Sequence, residues 1–491
     1  MTQKNNFNLT TFKKINEDMV AINERSYESD WFGRRYTKPI KEYTKEEVLN
    51  IINSGSLEKQ KELSMNYFNK DGFYRRIIIY YATLLKYTGV LIPNPTFGKS
   101  LSTPFIQKRY YNAINYIEKM KVPTFLENCA LRALIYGSYY GVILEQDKEV
   151  FSVLDLPNNY CCSRFKDKYG NNLIEFDVTY FNTILDNDSR NKALKAYPKV
   201  ISEHYKKYKN GKTKKKWVFI SSDIGICFTM FDGRPLFLSV IPSTIDYDEA
   251  VETERERDAE EIRKIIVQKI PHLNDGGLLF EPDEALEMHR GSVGMMKGNK
   301  NISVLTTYAD VDSIISKTSA DTASNNLEKM VNNIYYQSGV SGQLFASNSN
   351  LSLETSIKND MAMMMHLVHK FETFITNIIN KLYSNTNINF KYIILPITYY
   401  NDDKYMEATY KMANSGYSLL LPALAMGLSQ RDLNNIKDLE NDLLKLDEKL
   451  IPLSSSYTQS SNEVGAPEKS PQEKSKKTIQ NEESLDKGGS E

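Results

Sequence analysis

Apolar residues recur on one face of the chain from Leu353 to about Tyr383. They fall at Leu353, Ile357, Met361, Met364, Val368 and Phe371, then at Ile375, Ile378 and Leu382, spaced 4,4,3,4,3,4,3,4. This is a continuous seam along a helix of about thirty residues, a rod of ~45 Å. The opposite pattern precedes it. Asp246–Ile270 reads as a helix, with Ser243 and Thr244 where an N-cap belongs and Asp246 completing a capping box. Pro271 and the run Asn274-Asp275-Gly276-Gly277 end it. Its middle, Glu252 to Asp258, has no apolar residue on any face, so it is expected to be wet or packed on polar neighbours. Residues of opposite sign lie three apart at Glu252/Arg255, Glu254/Arg257, Glu260/Arg263 and Glu261/Lys264, each pair adding a few tenths of a kcal/mol. A second helix, 311–337, begins at Asp310 and is again almost wholly polar through Ser316–Asn326. Between the two lies a compact mixed stretch: a strand at Leu278–Phe280, a short helix at Pro282–Arg290, glycine-rich turns to Gly298 and a strand at Ile302–Thr307. An uncharged loop, Ser338–Ser352, joins the second polar helix to the seamed one.

The first 240 residues read as a helical piece with a small antiparallel sheet inserted. Thr44 and Glu47 form a capping box for a helix from Lys45 to Ser54, and helices are expected at Glu58–Lys70, Phe73–Tyr87, Gln107–Lys121, Pro123–Ile135 and Tyr197–Lys209. Strands are expected at Tyr139–Glu145, Val150–Leu154, Ile174–Tyr180, Lys216–Ser221 and Ile226–Thr229, with a turn at Asn210-Gly211. Beyond the seam come strand character at 387–400 and helices at Asp402–Ala413 and Ser429–Leu450. Residues 1–45 are polar, with a possible short helix at Phe12–Asn23, and read as an arm. From Pro452 onward Ser, Glu, Lys, Gln and Pro dominate, a disordered composition. The expected fold class is α+β, mainly helical.

Composition changes this picture little. The chain has 491 residues, 41% hydrophobic and 25% charged, with 62 basic and 62 acidic side chains. Zero net charge argues against a generic nucleic-acid binder working through a global basic field. Four cysteines, none in a CxxC, suit a reducing compartment. The N-terminus lacks the apolar core of a signal peptide, and the best apolar run, Ile77–Leu85, is far below the ~20 residues that span a bilayer. The chain is expected to be made and kept in a cytoplasm, with no membrane partner.

No catalytic constellation emerges. Phe97-Gly98-Lys99-Ser100 looks like the end of a phosphate-binding loop, but the position of its first glycine is Pro93, and Pro95 and Pro104 oppose the turn and the following helix. His366 and His369, near Asp360 and Glu372, could share a metal, but lie among methionines and lack an HExxH pattern, so they read as packing residues. Asp321, Glu328 and Asp360, with the acids of 246–261, supply carboxylates but no nucleophile or base for metal-assisted phosphoryl chemistry. The lysine run Lys212 to Lys216 reads first as a solvated turn and second as a phosphate contact. No enzyme activity, metal or cofactor is expected.

At residues 236–384 the chain resembles the portal proteins of tailed bacteriophages, the head-to-tail connectors. Leu236-Phe237-Leu238-Ser239-Val240-Ile241-Pro242, running through Ser243 to Glu249 into the charged helix, is similar to their first stem helix. The 272–308 stretch is similar to their clip, Asp310–Gln337 to the second stem helix, Gly339-Val340-Ser341-Gly342-Gln343 to the channel loop, and 353–383 to the long kinked helix. Upstream, Asp71 to Arg76, Ala133 to Tyr140, and Leu156-Pro157 with Cys161 resemble the wing. The resemblance covers roughly 45–450. It implies an arm (1–45), a wing with a small sheet (46–243), a first stem helix (244–271), a clip (272–309), a second stem helix (310–337) and a channel loop (338–352). A long wing helix (353–384), a wing and crown segment (385–451) and a tail (452–491) follow.

The resemblance also implies function: a ring, usually of twelve copies, at one capsid vertex, through which double-stranded DNA is packaged and later ejected. The copies meet through a heterologous interface that closes. Implied partners are the terminase large subunit, the major capsid or scaffolding protein, and later a head-completion or tail adaptor protein. The expected location is the virion, with the host cytoplasm during assembly. Expected loop contacts to DNA are Ser341, Gly342, Gln343, Ser347, Asn348 and Asn350; the channel-lining stem is Glu252, Glu254, Glu256 and Asp258; the clip docking surface is Asp283, Glu284, Glu287, Arg290 and Lys297. Nine acids and five bases in Asp246–Lys269 give that segment −4 per copy. Such a wall does not hold DNA through counterion release, and an uncharged loop touches phosphates weakly. The rival readings are a nucleic-acid-processing enzyme such as a nuclease, and a helical scaffold using the seam as a coiled coil.

Overall fold

The first helices start where side chains cap them. In the computed structural model, α1 (Lys45–Asn53) opens on Thr44, whose hydroxyl accepts from the Glu47 amide while the Glu47 carboxylate accepts from the Thr44 amide. After α2 (Leu57–Lys70), Asp71 opens α3 (Gly72–Thr83) by accepting from the Tyr74 amide at 2.6 Å. The described residues are 41–95, 103–146 and 151–445, less 169, 171, 263, 270–279, 296–301, 308–319, 341–350 and 386–387. They form an α+β, mainly helical chain in two compact units, Met1–Arg431 and Asp432–Glu491.

Next come β1 (Gly89–Pro95), α4 (Pro104–Met120) and α5 (Val122–Tyr136). Pro93 and Pro95 thus sit in a strand. Pro104, expected to oppose a helix, begins one, because the first helical position needs no N–H. Gly137, at φ 79°, ends α5; a Cβ there would lie 2.2 Å from the Gly233 carbonyl oxygen, so only glycine fits. The chain continues through β2 (Ser138–Gln146), β3 (Phe151–Asp155), β4 (Cys161–Lys166), β5 (Asn172–Asp177), α6 (Asn187–Ala196), α7 (Lys199–Lys209), β6 (Trp217–Ile220) and β7 (Gly225–Thr229).

The small antiparallel sheet is in fact two three-stranded ones, ordered β3-β2-β7 and β4-β5-β6. β4 escapes the pattern because a register shift between Cys162 and Phe165 breaks its alternation. α6 escapes because it buries only Ala193 and Leu194. The strand expected to reach Tyr180 stops at Asp177, whose carboxylate accepts from the Thr179 amide and turns the chain. Phe176, Phe181, Tyr197, Ile201 and Tyr205 pack a core between this second sheet and its helices.

The chain then forms α8 (Ile241–Ile262), β8 (Lys264–Lys269), α9 (Pro282–Met295), β9 (Ile302–Thr307) and α10 (Ala320–Ser338). α11 (Leu351–Tyr383), β10 (Ile388–Ile394), α12 (Asp402–Asn414) and α13 (Leu420–Ala425) follow. The helix expected from Ser429 to Leu450 is a shorter α14 (Gln430–Asp438) with one π turn, Leu439–Leu443.

α11 carries the main core. Met364, Leu367, Val368, Phe371, Ile375 and Ile379 are fully buried, each contributing about 1.5–3 kcal/mol by leaving water. Leu367 and Ile379 lie outside the 4,3 seam, so the buried stripe is the wider face of a globular helix. α11 packs against β10 and β7. β10 in turn pairs antiparallel with β1, Gly89 opposite Ile394 and Pro95 opposite Ile388. No helix of the described residues is long and apolar enough to cross a membrane.

Candidate functional site

The two polar helices share a root. α8 begins at Ile241, five residues earlier than the cap at Ser243 and Thr244 implied. Ser243 and Thr244 are buried inside its first turn, and the Thr244 hydroxyl donates to the Ile241 carbonyl at 2.9 Å. Phe73 of α3 meets Tyr247 of α8 edge-on at 5.2 Å and Tyr335 of α10 at 6.2 Å. Asp71, also buried, has its carboxyl pushed up by burial, against the pull of its bond from the Tyr74 amide. Lys45 pairs with Asp246 at 2.6 Å, a contact exposed enough to add little.

Beyond the root the acids of α8 separate into two sides. Glu252 and Glu256, four apart, are exposed. Glu254 is half-buried and faces Arg257 across 3.9 Å, so it is not equivalent to its neighbours. Asp258 lies on α8, and its side chain falls outside the described residues. The expected helix to Ile270 is corrected: α8 stops at Ile262, and Lys264–Lys269 is a strand. The β-branched run Ile265-Ile266-Val267 favours a pleated strand. The consequence is electrostatic. The basic residues of that run leave the helix, so α8 itself holds nine acids against two arginines, −7 rather than −4.

β8 pairs in parallel with β9, Lys264 opposite Ile302 and Lys269 opposite Thr307. A parallel pair needs a crossover, and α9 lies within it. α9 runs on to Met295 and takes in Gly291 and Gly294, which were expected in turns. Of the expected docking residues, Asp283, Glu284, Glu287 and Arg290 are all exposed on α9, while Lys297 lies outside the described residues. Glu284 also accepts from the Glu281 amide at 3.2 Å, so part of its role is to start the helix. Leu286, Val293 and Met295 are exposed beside them.

Ser341, Gly342, Gln343, Ser347, Asn348 and Asn350 lie outside the described residues, but the segments that flank them do not. α10 ends at Ser338, whose hydroxyl donates to the Tyr335 carbonyl at 2.7 Å and accepts from the Val340 amide at 3.3 Å. Gly339 is left-handed, at φ 77°, and Val340 is buried. Tyr81 of α3 stacks on Phe237 at 5.0 Å, and its hydroxyl would stand 3.8 Å from a Cβ on Gly339. The same hydroxyl donates to Asp360 of α11 at 3.0 Å, and Tyr80 donates to the other carboxylate oxygen at 2.8 Å. Tyr81 thus links Gly339, just past α10, to Asp360 within α11.

Both carboxylate oxygens of Asp360 are therefore engaged by tyrosine hydroxyls. Its carboxyl is pushed up by burial, opposed by the two tyrosine hydroxyls. Its place three residues past Ile357, on the apolar face, is the signal that sequence reasoning could have used. His366 stacks on Phe231 at 4.7 Å, and burial lowers its pKa. His369 turns to Glu372 at 3.2 Å, and Glu372 also accepts from the Ile394 amide. Among the described residues no group of three potential ligands gathers for a metal.

No protein-family model matches this chain, and no curated protein does. Among solved structures it is similar to a chain from the virion of a native gene transfer agent particle, at 9% identity and a TM-score of 0.36, spanning 84% of this chain and 99% of that one.

Proposed function

We propose that the chain is a portal subunit of a tailed bacteriophage: copies close into a ring, of twelve in the usual arrangement, around a channel for double-stranded DNA, without catalysis. The observation that carries this reading is the pair α8 and α10. They leave one root at Phe73, and α8 exposes Glu252 and Glu256 where a lone globule would seek apolar cover. At −7 per copy, α8 would repel phosphates rather than bind them, so DNA could slide past it. The parallel βαβ piece between α8 and α10 takes the place of the clip, and the exposed face of α9 is where terminase, and later a head-completion or tail adaptor, would dock.

The coiled-coil scaffold reading loses support, because Ile357, Met364, Val368, Phe371, Ile375 and Ile378 of the α11 seam are buried within their own chain. Negative-stain electron microscopy of the purified protein tests the proposal. Annular particles with an open centre are the expected result; a monodisperse monomer at micromolar concentration would sink it.

A further inference from the structure

Between Ser189 and Ser222 the chain carries ten lysines and one arginine against a single acid, Glu203, although the whole chain is neutral. All ten lysines are exposed. Arg190 is spent inside the fold, donating to the Phe181 and Ile184 carbonyls. Lys216 pairs with Asp177 at 2.9 Å. Lys192 and Lys195 lie on α6, and the other seven cluster on α7 and the turn after it.

The turn is built, not loose. Lys212 donates its amide to the Lys207 carbonyl at 2.9 Å, Gly211 donates to Tyr208 at 3.1 Å, and His204 Nε2 lies 2.9 Å from the Lys215 carbonyl. Gly211, at φ 69°, allows this fold-back. Lys206, Lys207 and Lys209 at the end of α7 therefore share one patch with Lys212, Lys214 and Lys215. α7 buries only Ile201 and Tyr205, so its lysines are not held to the core by their stems.

Favourable placement at the carbonyl end of α7 explains lysines in its last turn. It does not explain the run through the following turn. A protein partner fits poorly, because lysine is depleted from protein interfaces, which need a desolvated apolar centre. A membrane surface fits poorly too: Val200 is the sole large apolar side chain exposed on α7, and lipid binding needs an apolar face.

We infer that α7 and its following turn form a sequence-independent binding surface for the phosphate backbone of double-stranded DNA. This goes beyond the portal reading and does not rest on it. This face holds DNA through counterion release, the opposite of what the portal reading asks of α8.

The test is fluorescence anisotropy of a labelled 30-base-pair duplex titrated with the full-length protein across a salt series. With about five phosphates engaged, log Kobs falls against log[salt] with a slope of about −4.5, a ~500-fold loss between 50 and 200 mM. The variant K206Q/K207Q/K209Q/K214Q/K215Q should lose most of that slope and weaken binding at least ~10-fold at 50 mM salt. An equal charge change at Lys59, Lys108, Lys119, Lys121 and Lys391, all exposed elsewhere, should leave the slope in place. A slope near zero for the unaltered protein, or the same loss in both variants, overturns the inference. So does lysine-dependent binding to phosphatidylserine vesicles, or lysine-dependent self-association, without duplex binding.

Discussion

One phenol, Tyr81, links two helices. It stands against Gly339, just past α10, and donates to Asp360 within α11. Removing a hydrogen bond to a buried carboxylate costs about 1.5–3 kcal/mol, so Tyr81→Phe should lower the unfolding free energy by that amount, read as a lower urea midpoint with an unchanged m-value. Asp360 makes a further prediction about pH. Burial raises its folded-state carboxyl above the ordinary range, so the folded protein keeps this proton to higher pH than the unfolded chain does. Its contribution to stability is therefore greatest when both states are protonated and falls as pH rises from the ordinary aspartate range to the folded value. Asp360→Asn removes that dependence. Urea melts between about pH 4 and 7 should show wild type losing stability relative to the variant as pH rises; a constant difference would mean that the carboxyl is not raised. Asp71, shifted in the same direction, is common to both proteins and cancels.

At the scale of elements, α8 divides its acids between fold and surface. Glu254 faces Arg257, while Glu252 and Glu256 face outward. Lysine at the latter two positions takes α8 from −7 to about −3 and offers phosphates a grip. On the proposed portal reading, E252K/E256K in a packaging assay should leave particles intact and slow DNA passage at least ~2-fold at low salt, an effect that high salt removes. Unchanged kinetics would count against the proposed channel-lining role of those acids. E254K differs in kind, since it leaves Arg257 facing a like charge; thermal melting should register it as a small loss, about 0.2–1 kcal/mol. α11 is the counterpart of α8, with its charge budget reversed into apolar burial.

For the whole molecule, Phe371 is the clearest keystone. Its ring meets Phe228 of β7 at 4.7 Å and Tyr87, just after α3, at 6.0 Å. Phe371→Ala should cost about 3–5 kcal/mol, enough for circular dichroism to show a large fall in the melting temperature with no local substitute. Charge is also organised on this scale: an acidic α8 and a lysine-rich face around α7 coexist within a neutral total, which composition alone could not reveal. The sequence by itself determined the helices whose evidence is local. The capping box at Thr44, the long seam of α11, the strand Ile302–Thr307 and the polar character of α8 were all legible because caps and periodicity act between near neighbours. Only the tertiary structure decided where α8 yields to a strand, since Lys264–Lys269 needs β9, more than thirty residues on, as its partner. The same holds for which acids of α8 are free, and for Asp360, whose partners Tyr80 and Tyr81 lie 280 and 279 residues away. Periodicity reports which face of an element leaves water; it cannot say which distant residue meets that face, because that choice is made by packing among elements that are remote along the chain.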